Sequence, residues 1–321
     1  MAYTRVVHFL HVRINMRIVF MGTPSYATEI LKALMQERKI DVVLLVTQED
    51  KPVGRKQILT PPDTKAWAML HAPSLEMYQP KTLRTEEAYT KIASYQPDFI
   101  VVAAYGQILP KAILEIAPCI NLHASLLPQY RGASPIQSTL LANETYAGVT
   151  SMLMEEGLDT GAMLGFSYVK VLQEDTSYSL FESLASLAAH LTITTLTHFK
   201  EITAWPQVDA DATHCKKIKK EDGAISFETS AMNIVARYKA FTPWPGIYLE
   251  SGLKLSGVKI YDEITCYETF GAILALHKEG AVITCKQGSL LVQSVQPASK
   301  NVMNILDYIR GKRLNVGDIL V

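Results

Sequence analysis

The run Arg17–Met21 (RIVFM) is apolar and rich in β-branched residues, and Gly22-Thr23-Pro24 stops it. From Tyr26 to Met35 the spacing changes, so that Ala27, Ile30, Leu31 and Leu34 share one face of a helix. Val42–Thr47 (VVLLVT) is a second continuous apolar run, followed by proline-rich turns and a helix near Thr64–His71. Phe99–Ala104 (FIVVAA) and Cys119–His123 give a third and a fourth strand. Strands without polar alternation are covered on both faces, as in parallel sheets. Their alternation with helices predicts an α/β domain, a Rossmann-like doubly wound parallel sheet, over residues 16–205.

The pattern changes after Trp205-Pro206. Gln207–Thr213 is polar and acidic, so 206–213 reads as a linker. Beyond it come shorter strands at close spacing: Lys254–Tyr261, Gly271–Leu276, Ala281–Cys285 and Leu290–Val295, punctuated by glycines. This rhythm predicts a second, smaller OB-like β-barrel domain over 214–321. At the other end, Met16 opens the first good pattern, and 1–15 is taken as an amino-terminal extension. Its apolar run between Arg5 and Arg13 is too short to span a bilayer and lacks a small-residue cleavage site. No other segment is long and apolar enough to cross a membrane, which predicts a soluble chain.

Composition changes this picture little. The 321 residues are 48% hydrophobic and 19% charged, as in globular chains. The formal net charge is zero, so only local charge can speak for a polyanionic partner. Cys119, Cys215, Cys266 and Cys285 are scattered without the two-residue spacing of zinc or redox motifs. No metal site is expected, and the thiols read as reduced ones in the cytoplasm.

Two familiar chemistries are excluded by motif. The first βα turn has one glycine where the dinucleotide fingerprint needs three. Ser125 lacks the GxSxG elbow of α/β hydrolases. What remains is Asn121-Leu122-His123 at the carboxyl end of an apolar strand, where open α/β sheets bind ligands. Residues two apart on a strand project to the same side. An amide beside an imidazole suits negative charge developing on an oxygen, although a strand-end turn with a backbone-satisfied histidine has the same spacing. Asp159, set between Gly157 and Gly161, suits both a tautomer-fixing carboxylate and an Asx turn.

The segments NLHASLLPQYRGASPIQ and EEGLDTGAML resemble the folate-dependent formyltransferases. RIVFMGTPSYA, VTQEDKPVGR and VVAAYGQILP extend the resemblance over nearly the whole chain from Met16, and AFTPWPG and QPASK resemble the tRNA-acting branch. The resemblance implies formyl transfer from 10-formyltetrahydrofolate to the amino group of methionine on initiator tRNA, for translation initiation, without a metal. It implies Asn121, His123 and Asp159 as the catalytic set. Tyr105, Gly106, Gln107, Ile108 and Leu109, with Ser125, Leu126, Leu127 and Pro128, are implied as walls of the folate site. The loop KPVGRKQILTPPD has fewer basic residues than the family pattern but keeps Gly54-Arg55. In the family that loop reaches the acceptor end of the tRNA, which implies a contact from Arg55.

Local charge adds to this. Lys216, Lys217, Lys219 and Lys220 cluster just past the linker, and from Asp211 onward fourteen Lys and Arg face eleven Asp and Glu. Taken alone, such a cluster suits a solvated face; beside the formyltransferase motifs and a β-barrel it reads as phosphate contacts, and the resemblance implies methionyl-tRNA as the partner. A monomer is expected. The rival readings are a formyltransferase for another amine, such as a glycinamide ribonucleotide or an amino-sugar nucleotide, and a catalytically silent tRNA-binding protein.

Overall fold

The computed structural model describes residues 15–54 and 56–321. The expected extension, except for its last residue, and Arg55 lie outside the described residues.

The apolar runs form the centre of a seven-stranded sheet. Its strands are β1 (Met16–Gly22), β2 (Ile40–Val46), β3 (Met77–Tyr78), β4 (Phe99–Ala103), β5 (Cys119–His123), β6 (Tyr146–Leu153) and β7 (Met163–Lys170). Their spatial order is β7-β6-β5-β4-β1-β2-β3. From β3 to β5 all neighbours are parallel, and β6 then runs antiparallel to β5, with His123 opposite Thr150 and Asn121 opposite Met152. The parallel strands are buried on both faces for the reason the sequence suggests: Val19, Leu44, Ile100 and Val102 join Tyr105 and Leu109 in one apolar cluster. The helix Ser25–Gln36 lays Tyr26, Ala27, Ile30, Leu31 and Leu34 inward. The antiparallel β6 is a feature that the apolar runs alone do not disclose.

The carboxyl region forms a second, antiparallel sheet. Lys254–Cys266 pairs with Gln287–Gln296, which pairs with Gly280–Thr284, and that strand with Ile273–His277. The helix Ala231–Phe241 packs on the helix Pro135–Leu141. The described chain divides into two compact units. One comprises residues up to His123 with Thr150–Phe166 and Ala185–Gln207, and the other Ala124–Val149, Ser167–Leu184 and Val208–Val321. No helix among the described residues is long and apolar enough to cross a membrane.

Candidate active site

β5 is buried along its length and ends at His123. Asn121 and His123 project together, as the alternation of a strand requires. Both meet the carboxylate of Asp159. The amide Nδ2 of Asn121 donates to Asp159 Oδ1 at 3.4 Å, and His123 Nδ1 lies 3.6 Å from the same oxygen, with the two side chains 7% and 11% exposed. These contacts are long for hydrogen bonds, and the His123–Asp159 approach becomes an ion pair when the ring carries its second proton. An amide has two N–H donors, so one can face Asp159 while the other faces a substrate oxygen. The structure thus brings together an amide donor, an imidazole and a carboxylate at the carboxyl end of the sheet.

Asp159 reaches back through an unusual backbone. Its φ is +55°, a left-handed conformation that Asp and Asn tolerate better than most residues. The turn is held from two sides. Gly161 lies so close to the end of β6 that a Cβ there would sit 1.8 Å from the Leu153 carbonyl oxygen. Gln207 Nε2 donates to the carbonyls of both Asp159 and Gly161 at 2.8 Å. Sequence reasoning missed Gln207. Its position follows from register: Met163 and Trp205 exchange both backbone bonds in an antiparallel bridge, and counting two residues out on each side brings Gln207 to Gly161. No motif in the sequence signals that pairing.

The segment after β4 carries Tyr105–Leu109. Gly106 has φ +87° with open space where a side chain would stand, and Ile108 is 65% exposed. Gln107 donates to the Pro80 carbonyl at 3.2 Å, and the Tyr105 carbonyl accepts from Thr23 at 3.0 Å. Leu109 is buried in the core. The Tyr105 hydroxyl is buried without a hydrogen-bond partner among the described residues. Burial, with Tyr78 nearby, pushes its phenol above the ordinary tyrosine range. In Ser125–Pro128, the buried Ser125 hydroxyl donates to the Gln129 carbonyl at 2.6 Å, so it shapes the loop. Leu127 is buried and Leu126 partly so.

Lys216, Lys217, Lys219 and Lys220 are all exposed. Among the described residues no group of three or more His, Cys, Asp or Glu is placed to hold a metal ion.

Residues 16–196 match the family model "Formyl transferase", and residues 217–313 match "Formyl transferase, C-terminal domain". The chain is 52% identical over 303 residues to a methionyl-tRNA formyltransferase of a Nitratiruptor species, covering 94% of this chain and 99% of that protein. It is 51% identical over 304 residues to one of Campylobacter jejuni subsp. jejuni (strain 81-176), covering 95% and 99%. Among solved structures, the methionyl-tRNA formyltransferase from Clostridium thermocellum has a TM-score of 0.56 at 19% identity, covering 76% of this chain and 93% of that one. The sugar 3N-formyl transferase WlaRD has a TM-score of 0.64 at 15% identity, covering 90% and 99%. At such identities the structural likenesses speak for the fold alone. The sequence identity runs almost end to end in both chains, and on that ground this chain belongs to the formyl transferase family, alongside the methionyl-tRNA formyltransferases.

Proposed function

We propose that this chain transfers the formyl group of 10-formyltetrahydrofolate to the amino group of methionine on methionyl-tRNA, with initiator tRNA as the acceptor. The observation that supports it best is half-identity to methionyl-tRNA formyltransferases over about 95% of the chain. On this reading the protein works in the cytoplasm as a monomer. Residues 16–205 carry the chemistry, and the carboxyl region 214–321 carries affinity for tRNA.

The donor supplies an activated formyl carbon; the chain's own residues do the rest. Asn121 donates to the formyl oxygen as negative charge gathers on it, and a protonated His123 adds its charge. A preorganised donor of this kind is worth about 3 kcal/mol in the transition state. Asp159 holds His123 and takes the proton that the attacking amine must lose, directly or through water, before it passes to the leaving nitrogen. The exposed Ile108 and Gly106, with Tyr105, Gln107 and Leu109, contact the donor. The segment Ser125-Leu126-Leu127-Pro128 is a second folate-binding segment. The four lysines at 216, 217, 219 and 220 bind tRNA phosphates.

The test is an assay with 10-formyltetrahydrofolate and charged initiator tRNA, run beside free methionine, elongator methionyl-tRNA and an amino-sugar nucleotide. The expected result is rapid formylation of the initiator species, little of the elongator and none of the small amines. Formylation of a small amine with no activity on methionyl-tRNA overturns the reading.

A further inference from the structure

The segment 208–216, which takes in most of the expected linker 206–213 and the start of the carboxyl region, is hydrogen-bonded along its length to the loop that carries Leu126–Pro128. His214-Cys215 pairs as a short parallel strand with Arg131-Gly132. The Thr213 amide donates to the Pro128 carbonyl at 3.3 Å, and the Arg131 amide donates to the Thr213 carbonyl at 2.9 Å. The Thr213 hydroxyl serves twice, accepting from the Tyr130 amide at 2.8 Å and donating to Gln129 Oε1 at 2.9 Å. Gln129 Nε2 in turn donates to the Asp211 carbonyl at 3.0 Å. Gly132 comes so near that a Cβ on it would lie 2.2 Å from the Cys215 carbonyl oxygen. At the near end, the guanidinium of Arg131, 4% exposed, pairs at 2.9 Å with Asp209, 84% exposed. At the far end, Ser134 Oγ donates to the Lys216 carbonyl, where the lysine cluster begins.

The geometry points to this strap as a mechanical link between two ligands. It rests on the proposed reading, in which the lysines hold tRNA and Leu126–Pro128 walls the folate donor. Arg131 and Thr213 are positioning residues in it. tRNA on the lysines restrains Lys216, whose backbone is held at Ser134, and Thr213, whose backbone is held at Pro128. A loop already restrained by one ligand costs less entropy to order for the other. Linkage makes the effect reciprocal: tRNA raises donor affinity by the same factor by which donor raises tRNA affinity.

The probes are methionyl initiator tRNA and 5-formyltetrahydrofolate, which places the formyl group on a nitrogen from which it is not transferred. Each is titrated by calorimetry alone and in the presence of saturating amounts of the other, with the full chain. In the unaltered protein each ligand should tighten the other on the order of tenfold. In Asp209→Asn with Thr213→Val the coupling should fall to about twofold or less, while each ligand alone keeps its affinity within about twofold. Asp209→Asn alone, at an exposed side chain, provides a partial loss should the double variant melt early. Binding of both ligands without coupling in the unaltered protein overturns the inference and leaves the proposed function standing. So does full coupling in both variants, or a loss of both separate affinities, which marks the strap as structural only. Failure of either ligand to bind the unaltered protein overturns the proposed function itself.

Discussion

His123 Nδ1 stands 3.6 Å from Asp159 Oδ1, and Asp159 holds that place with a φ of +55°. The turn aims a carboxylate back at the end of a strand that it does not belong to. A left-handed non-glycine residue costs roughly 1–2 kcal/mol, and such strain persists only where surrounding contacts over-determine it. Here the contacts are the two carbonyl bonds from Gln207 and the tight seat of Gly161.

Asp159→Asn tests the charge apart from the backbone, because Asn tolerates the left-handed region as Asp does. The variant should fold with an unchanged melting temperature and lose turnover by on the order of a hundredfold or more. His123→Ala should lose as much. Rapid-quench formylation at saturating substrates measures both, and a folded variant with wild-type turnover removes its residue from the mechanism.

Gln207→Leu removes both carbonyl bonds while keeping the volume of the side chain close. Two lost hydrogen bonds are worth about 1 kcal/mol each, so the melting point should fall by only a few degrees. Turnover should fall on the order of tenfold, since the Asp159 turn loses its outer support. The Michaelis constant for tRNA should stay within twofold. A fall in stability with turnover untouched assigns Gln207 to structure alone.

Much of this was legible in the sequence, for identifiable reasons. β1, β2, β4 and β5 are short apolar runs, and burial on both faces leaves no polar alternation to confuse them. Asn121 and His123 could be paired because the two-residue period of a strand is local. β6 and β7 escaped because YAGVTSML and MLGFSYVK mix small, polar and aromatic residues, and their pairing is fixed by distant partners. Gln207 escaped for the same reason, its place being set by the bridge of Met163 to Trp205. The polar, acidic character of 207–213 reads as a linker. Composition cannot distinguish that from a strap whose polar groups are spent on Pro128–Ser134.

The cysteines offer a check on the packing. Burial pushes the thiols of Cys119 and Cys285 up to about 12. A raised thiol pKa means almost no thiolate, the reactive form, at pH 8. Cys266 is exposed. Iodoacetamide at pH 8 should therefore label Cys266 and leave Cys119 and Cys285 unmodified until denaturant is added, as read by peptide mass spectrometry. Early labelling of Cys119 would show that the apolar cluster it shares with Val19, Leu44 and Ile100 opens without global unfolding.

The lysine cluster gives the sharpest division between chemistry and binding. The backbone beneath it is fixed: the Lys216 carbonyl accepts from Ser134, the Lys219 amide donates to Asp222 at 2.7 Å, and the Lys220 carbonyl accepts from Tyr248 at 3.0 Å. The four side chains are exposed, so replacing them with glutamine should leave the fold unchanged. If each contacts a phosphate, the logarithm of tRNA affinity should fall steeply with the logarithm of salt, and the quadruple variant should flatten that slope by roughly three units. Its Michaelis constant for tRNA should rise. Donor affinity without tRNA and turnover at saturating tRNA should hold within twofold, because an interaction equal in ground and transition states changes binding and not the chemical step. Filter binding across a salt series, a calorimetric titration of the donor alone and steady-state kinetics at one ionic strength measure all four quantities. An unchanged slope with unchanged affinity makes the cluster a solvated face and moves the tRNA contacts elsewhere. A fall in turnover at saturation puts the lysines in the transition state, against the division proposed between residues 16–205 and 214–321.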